Sequence, residues 1–154
     1  MSNSQTYTVQ QTAKLSGLPE STLRYYETMK LIPHIKRDER SKHRVYSEQD
    51  LEIVVTVACL SATGMSIDDM KAYMKSATQE GNSAQIQIQL LKEQAQHLLE
   101  EEASLRIRQD YVQAKIAYWN AVESGDPKKI ELAKNKSIKI AKKLKNIKKK
   151  EKTV

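Results

Sequence analysis

Thr22-Leu23-Arg24-Tyr25-Tyr26-Glu27 is the stretch on which the fold turns. It sits in a segment bracketed by prolines. Pro19 opens it, where a missing N–H costs a helix nothing, and Pro33 follows its end. Glu20 to Lys30 reads as one helix, with Leu23 and Tyr26 turned inward and Thr22, Arg24 and Tyr25 on its exposed N-terminal half. Just before it, Thr8-Val9-Gln10-Gln11 has the form of a capping box and opens a helix that ends near Ser16-Gly17. Two short helices joined by a tight glycine-containing turn make a helix-turn-helix pattern. An Arg on its second helix can fork onto guanine edges or a phosphate, and Thr and Tyr hydroxyls reach phosphate oxygens. Taken alone, the same residues also fit an ordinary surface helix with one arginine.

Downstream, Ile35-Lys36-Arg37 and Arg44-Val45-Tyr46 flank the polar run Asp38 to His43, which predicts a short two-stranded wing. Ser47-Glu48-Gln49-Asp50 is a second capping box. The helix it starts carries Leu51, Val54, Val55, Ala58 and Ala62 on one side and ends at Thr63-Gly64. Ser66-Ile67-Asp68-Asp69 is a third box, with Ile67, Met70 and Met74 on the inner face of its helix; Gly81-Asn82 breaks that pattern.

From Ser83 to about Trp119 nothing interrupts a helix. Leu91, Leu98, Leu105, Val112 and Trp119 recur every seven residues, each preceded by three positions by Ile88, Ala95, Glu102, Gln109 and Ile116. One heptad position is apolar throughout and the other mixed, which suits a coiled coil with a polar waist. Such a helix reaches roughly 55 Å, too long to bury its stripe against a small head, so a second chain is required. Ser124-Gly125-Asp126-Pro127 is a stop and restart. A further helix follows, with Ile130, Ala133, Ser137, Ile140, Leu144 and Ile147 as its stripe and an end expected to fray from Lys148 onward. The organisation is thus a DNA-binding domain over 1–80, a dimerisation helix over 81–122 and a basic helical tail over 123–154.

Composition narrows the function classes. The chain has 154 residues, 39% hydrophobic and 29% charged, enough for a small domain and an extended element. No run of 18 apolar residues exists, and Met1 to Thr6 is polar without a basic start, so neither a membrane span nor a secretory signal is expected. A cytoplasmic location follows. Cys59 is the only cysteine, which precludes an intrachain disulfide or a cysteine-based zinc cluster. His34, His43 and His97 are scattered, so no metal or other cofactor is expected. No paired carboxylates, nucleophile–base pair or phosphate loop is present, and an enzyme is not expected. The net charge is +7, but 12 lysines against two glutamates lie beyond Asp126, leaving 14 basic against 17 acidic residues before that point. Charge alone would assign DNA contact to the tail; the helix-turn-helix argues for the head.

In order along the chain stand Tyr7-Thr8-Val9, Leu18-Pro19, Thr22 to Glu27, Leu31-Ile32-Pro33, Arg44-Val45-Tyr46 and Gly64-Met65-Ser66-Ile67. This succession resembles the MerR family of regulators over roughly residues 7–76. The resemblance implies a mainly α fold, a winged helix-turn-helix head followed by a long antiparallel coiled-coil dimerisation helix. It implies a homodimer on double-stranded promoter DNA, acting with RNA polymerase by bending and untwisting a promoter whose spacer is too long. Carried over by position, Thr22, Arg24 and Tyr25 are recognition-helix contacts and Arg44 a wing contact. Lys42 adds a phosphate partner, and Ser66 offers a helix N-terminus to a phosphate. Tyr46 reads as a packing residue rather than a phosphate contact. Two departures stand out: Lys42-His43-Arg44 lacks the glycine common in the family's wing, and Pro19 stands where a serine cap is common.

For the effector, Cys59 precedes the Gly64-Met65-Ser66-Ile67 turn in a place that resembles the aldehyde- and thiol-stress-responsive branch of that family, the AdhR and NmlR type. A sensor modified by an aldehyde or oxidant and a small buried packing residue are both open readings. Other readings are a non-cysteine small-molecule effector and an architectural, excisionase-like DNA-bending protein. The long heptad helix argues against the latter. The lysine-rich tail fits added non-specific DNA affinity, contact with RNA polymerase or the DNA flank, or a solvated helix capping the dimer rod.

Overall fold

The computed structural model describes residues 5–78 and 83–151, the last four of these by backbone alone. Its elements are β1 (Thr6–Thr8), α1 (Val9–Ser16), α2 (Glu20–Thr28), β2 (Val45–Ser47), α3 (Glu48–Ala62), α4 (Ile67–Ala77), α5 (Ser83–Ser124) and α6 (Pro127–Glu151). They divide into two compact units, Met1–Ala95 and Gln96–Val154. Gly81 and Asn82, read as a helix break, lie outside the described residues.

Local capping sets most boundaries of the first unit. The Thr8 hydroxyl accepts from the Gln11 N–H at 3.1 Å while the Thr8 N–H donates to the Gln11 side chain at 2.9 Å, a complete capping box. Gly17, at φ 74°, ends α1 by donating to the Ala13 carbonyl at 2.9 Å. Ser47 and Asp50 close a second full box on α3. The third is only half a box. Ser66 accepts from the Asp69 N–H at 3.1 Å, but the Asp69 carboxylate takes the Ser66 hydroxyl at 2.7 Å.

Three expectations are corrected. The second helix stops at Thr28 rather than Lys30, because Lys30 adopts φ 59° and the Leu31 N–H returns to the Tyr26 carbonyl at 2.9 Å. That turn swings Leu31 and Ile32 into the core, each 3% exposed. The wing is also slighter than read: Ile35–Arg37 and Arg44–Tyr46 meet at one bridge, Arg37 to Arg44, with the Val45 N–H on the Lys36 carbonyl at 2.8 Å. Instead β2 pairs antiparallel with β1, Tyr7 opposite Tyr46. Lastly, the buried face of α3 is Val54, Val57 and Leu60. Val55 and Ala62 are exposed, and Leu51 and Ala58 are half-buried. The helix is rotated from the expected face because it packs against α1 and β2 as well as α4.

The core of the head gathers Leu23, Ile35, Tyr46, Val54, Val57 and Met70, all essentially inaccessible. Burying each such side chain stabilises the fold by about 1.5–3 kcal/mol. Within this unit the beginning of α5 is pinned by Gln94, whose side-chain amide donates to the Thr63 carbonyl at 2.8 Å.

The second unit consists of the C-terminal part of α5 and α6, joined through Gly125 at φ 72°. The Asp126 carboxylate caps α6 by accepting from the Lys128 N–H at 3.0 Å, and Pro127 takes the first helical position. Ala114 and Ala121 of α5 and Ser137 of α6 are buried. Ile107, Tyr111 and Tyr118 share the inner face of α5. All six expected stripe residues of α6, from Ile130 to Ile147, are buried or half-buried. The backbone of α6 is helical to Glu151, through the lysines expected to fray. No described helix is long and apolar enough to cross a membrane.

Candidate nucleic-acid interface

The exposed face of α2 is fixed by what its other face buries. Leu23 is fully buried and Tyr26 is 6% exposed. The Tyr26 hydroxyl shares a 3.0 Å hydrogen bond with Ser61, tying α2 to α3. With those two positions held, helical spacing turns Arg24 and Tyr25 to solvent, and Thr22 is half-buried on the first turn. Arg24 reaches back one turn to Glu20 at 3.1 Å, both side chains being about half exposed. An i,i+4 pair this open contributes little and is readily exchanged for another anion. The cap bond that Pro19 cannot make is indeed missing, and Glu20 supplies a negative charge to the first turn in its place.

The wing turn is organised by Asp38. Its carboxylate accepts from the Ser41 N–H at 2.7 Å, the Ser41 hydroxyl at 2.9 Å and the Arg40 N–H at 3.1 Å. The Ser41 N–H first, and then its hydroxyl, hold the Asp38 carboxyl below its ordinary value. Lys42 sits at the end of this turn with φ 59°, the left-handed conformation that a glycine adopts freely. The turn thus forms without glycine, and Lys42 leaves its side chain exposed beside Arg37, whose guanidinium donates to the Lys42 carbonyl at 3.2 Å.

Arg44 is placed differently from the exposed wing contact that its position suggests. Its side chain is 20% exposed and lies against Glu27, Nη2 to Oε1 at 3.0 Å with Nε at 3.3 Å. The second Glu27 oxygen accepts from the Ile35 N–H at 3.1 Å. Burial alone would raise the Glu27 pKa, but the Arg44 hydrogen bond, the Ile35 N–H and the charges of Arg44 and His34 together hold it below its ordinary value. One carboxylate thereby ties the end of α2 to the base of the wing. Sequence reasoning missed this strut because its partners stand 17 residues apart; the Glu20–Arg24 spacing was legible and also went unread.

Tyr46 is a packing residue. Its ring is fully buried, its hydroxyl has no partner in the described structure, and burial chiefly raises its pKa. Ser66 is exposed at the start of α4, but Asp68 and Asp69 occupy the first turn, so an approaching phosphate meets two carboxylates there. Cys59 is a free thiol exposed on α3. On α5, Leu91, Leu98, Leu105, Val112 and Trp119 are 42–61% exposed, and Ile88 and Ile116 lie bare beside them. Among the described residues no cluster of three or more His, Cys, Asp or Glu could hold a metal ion.

A helix-turn-helix whose second helix presents arginine and tyrosine beside a basic turn defines a DNA-binding class of head. Residues 7–77 match the MerR HTH family regulatory protein model. The HTH-type transcriptional regulator YfmP of Bacillus subtilis is 32% identical over 111 residues, 70% of this chain and 79% of that one. The HTH-type transcriptional regulator AdhR of the same organism is 34% identical over 92 residues, 60% of this chain and 65% of that one. Among solved structures, HiNmlR, a MerR family regulator lacking the sensor domain and bound to promoter DNA, superposes with TM-score 0.65 at 25% identity, covering 84% of this chain and 96% of that one. The chain belongs to the MerR family of helix-turn-helix transcriptional regulators. Its work is regulatory rather than catalytic.

Proposed function

We propose that this regulator binds double-stranded promoter DNA as a homodimer, with α2 in the major groove, and acts with RNA polymerase by distorting the promoter. The carrying observation is the division of α2: Leu23 and Tyr26 are locked in the core, which commits Arg24 and Tyr25 to the outside. Arg24 then forks onto a base edge, Thr22 and Tyr25 approach phosphates, and Lys42 at the wing turn adds a further phosphate contact. Arg44 contributes mainly by holding the wing against α2 through Glu27. Ser66 keeps a lesser role, the neighbouring carboxylates opposing a phosphate. Dimerisation uses the bare heptad stripe of α5, paired antiparallel with its copy. That HiNmlR was crystallised on promoter DNA supports the DNA partner. Such a role belongs to the cytoplasm.

The test is binding of the full chain to DNA from upstream of its own and neighbouring genes. Arg24→Ala is expected to weaken operator binding by about 1–3 kcal/mol, roughly 5- to 150-fold, with little change on scrambled DNA. Equal weakening on both would make Arg24 a phosphate clamp, and a wild-type chain indifferent to every upstream fragment would sink the reading.

The exposure of Cys59 favours a second element, a switch in which its thiolate adds to an aldehyde carbonyl carbon, or attacks a peroxide oxygen to become a sulfenic acid as the O–O bond breaks and water or an alcohol leaves. Transcription in vitro with and without an aldehyde is expected to respond for wild type and not for Cys59→Ser. Equal responses of the two proteins would move the effector to a non-cysteine site.

A further inference from the structure

Between Pro127 and Ile147, α6 carries eight lysines and one carboxylate, Glu131, and all eight lysine side chains are exposed. None of them is in an ion pair among the described residues, and Glu131 interacts with Asn135 rather than with a lysine. Lys136, Lys139 and Lys143 recur at three- and four-residue spacing, with Lys142 beside them. Like charges so placed destabilise an isolated helix by a few tenths of a kcal/mol per pair. The helix forms because its opposite face, Ile130 through Ile147, is packed within the second unit. A cationic surface is thus held in a fixed array by apolar contacts on its far side.

We propose that this outer face of α6 is a second, sequence-independent contact for the phosphate backbone of duplex DNA, separate from the helix-turn-helix. The inference rests on the promoter-binding reading above. From Lys128 to Lys145 the helix spans about 25 Å. A duplex presents on the order of 15 phosphate charges over that length. Neutralising several of them releases condensed counterions and relieves the repulsion among the lysines. A membrane surface is disfavoured because a helix lying in an interface needs a continuous apolar face. Among the described residues the continuous apolar face of α6, Ile130 through Ile147, is buried or half-buried already. Its outward apolar residues, Leu132 and Ile138, are 75% and 45% exposed and stand on different sides of the helix.

The experiment measures association of the full chain with an operator duplex and a duplex lacking the operator, from 50 to 300 mM salt. The variant is Lys136, Lys139, Lys142 and Lys143 all replaced by glutamine, which preserves helix propensity. The expected result is a salt slope shallower by about 2 to 4 on both duplexes, with non-operator affinity down about tenfold or more and operator preference retained. Replacing the same four by arginine keeps the wild-type slope. Glu131→Lys steepens it by about 1, an independent gain that no folding defect produces. Unchanged slopes in the glutamine variant and Glu131→Lys, with operator binding intact, overturn this inference and leave the head reading standing. The same unchanged slopes joined to lost binding of RNA polymerase, or of anionic phospholipid vesicles, reassign the face to that partner and equally overturn it. A wild-type chain that binds neither duplex removes both readings.

Discussion

Leu98→Glu with Leu105→Glu is expected to convert the protein to a monomer and to abolish operator binding at concentrations where wild type saturates. These leucines are 42% and 52% exposed on a helix whose other apolar face is occupied within the chain. Pairing two copies buries four such side chains, worth about 1.5–3 kcal/mol each, or on the order of 6–12 kcal/mol as an upper figure. With about half of each side chain left to bury, removing that contact costs about 3–6 kcal/mol and raises the dimerisation Kd by about two to four orders of magnitude, to which repulsion among four carboxylates at the seam adds. A monomeric head keeps one set of groove contacts and loses the two-site geometry that fixes half-site spacing. Sedimentation equilibrium checks the mass, and circular dichroism checks that helix content persists. A double variant that stays dimeric would show that the bare stripe of α5 is not the dimer seam.

Glu27→Ala should be the most damaging polar substitution in the head. It leaves the Arg44 guanidinium, only 20% exposed, without its counter-charge and deprives the Ile35 N–H of its acceptor. Losing charged hydrogen bonds at such a site costs about 2–3 kcal/mol. In a head of this size that lowers Tm by on the order of 10–20 °C. The pH dependence gives a second readout. The folded pKa of Glu27 lies below its ordinary 4.5, so the stabilisation is fully present above about that pH and is lost as pH falls through the folded value. The stability gap between wild type and Glu27→Gln is therefore flat from pH 7 to about 5 and narrows below it. A gap that persists undiminished into strong acid would mean that packing, not the carboxylate charge, sets the value.

The helix boundaries were legible because caps act over three or four residues. Thr8 with Gln11, Ser47 with Asp50, Gly17 and Pro127 announce their roles within one turn of chain. Thr22, Arg24 and Tyr25 were readable as the outer face of α2 for the same reason: Leu23 and Tyr26 supply the periodicity that places them. The heptad stripe of α5 was visible as a spacing of seven. Its other apolar face, Ile107, Ala114, Tyr118 and Ala121, was not separated from it, because two stripes on roughly opposite sides of one helix blur each other's pattern.

By itself, then, the sequence determined where most of the helices begin, that the second of them faces outward with arginine and tyrosine, and that a long helix carries an unsatisfied apolar stripe. Tertiary structure alone decided that β2 takes residues 6–8 as its main strand partner, that Arg44 turns to Glu27, that Cys59 is bare and that Lys42 accepts a left-handed backbone. The physical reason is separation along the chain. Capping and helical periodicity are set by neighbours a turn away. Strand partners, ion pairs across 17 residues and the rotation of a helix on its core are set by which surfaces bury the most apolar area together, and that is fixed only when the whole head has closed.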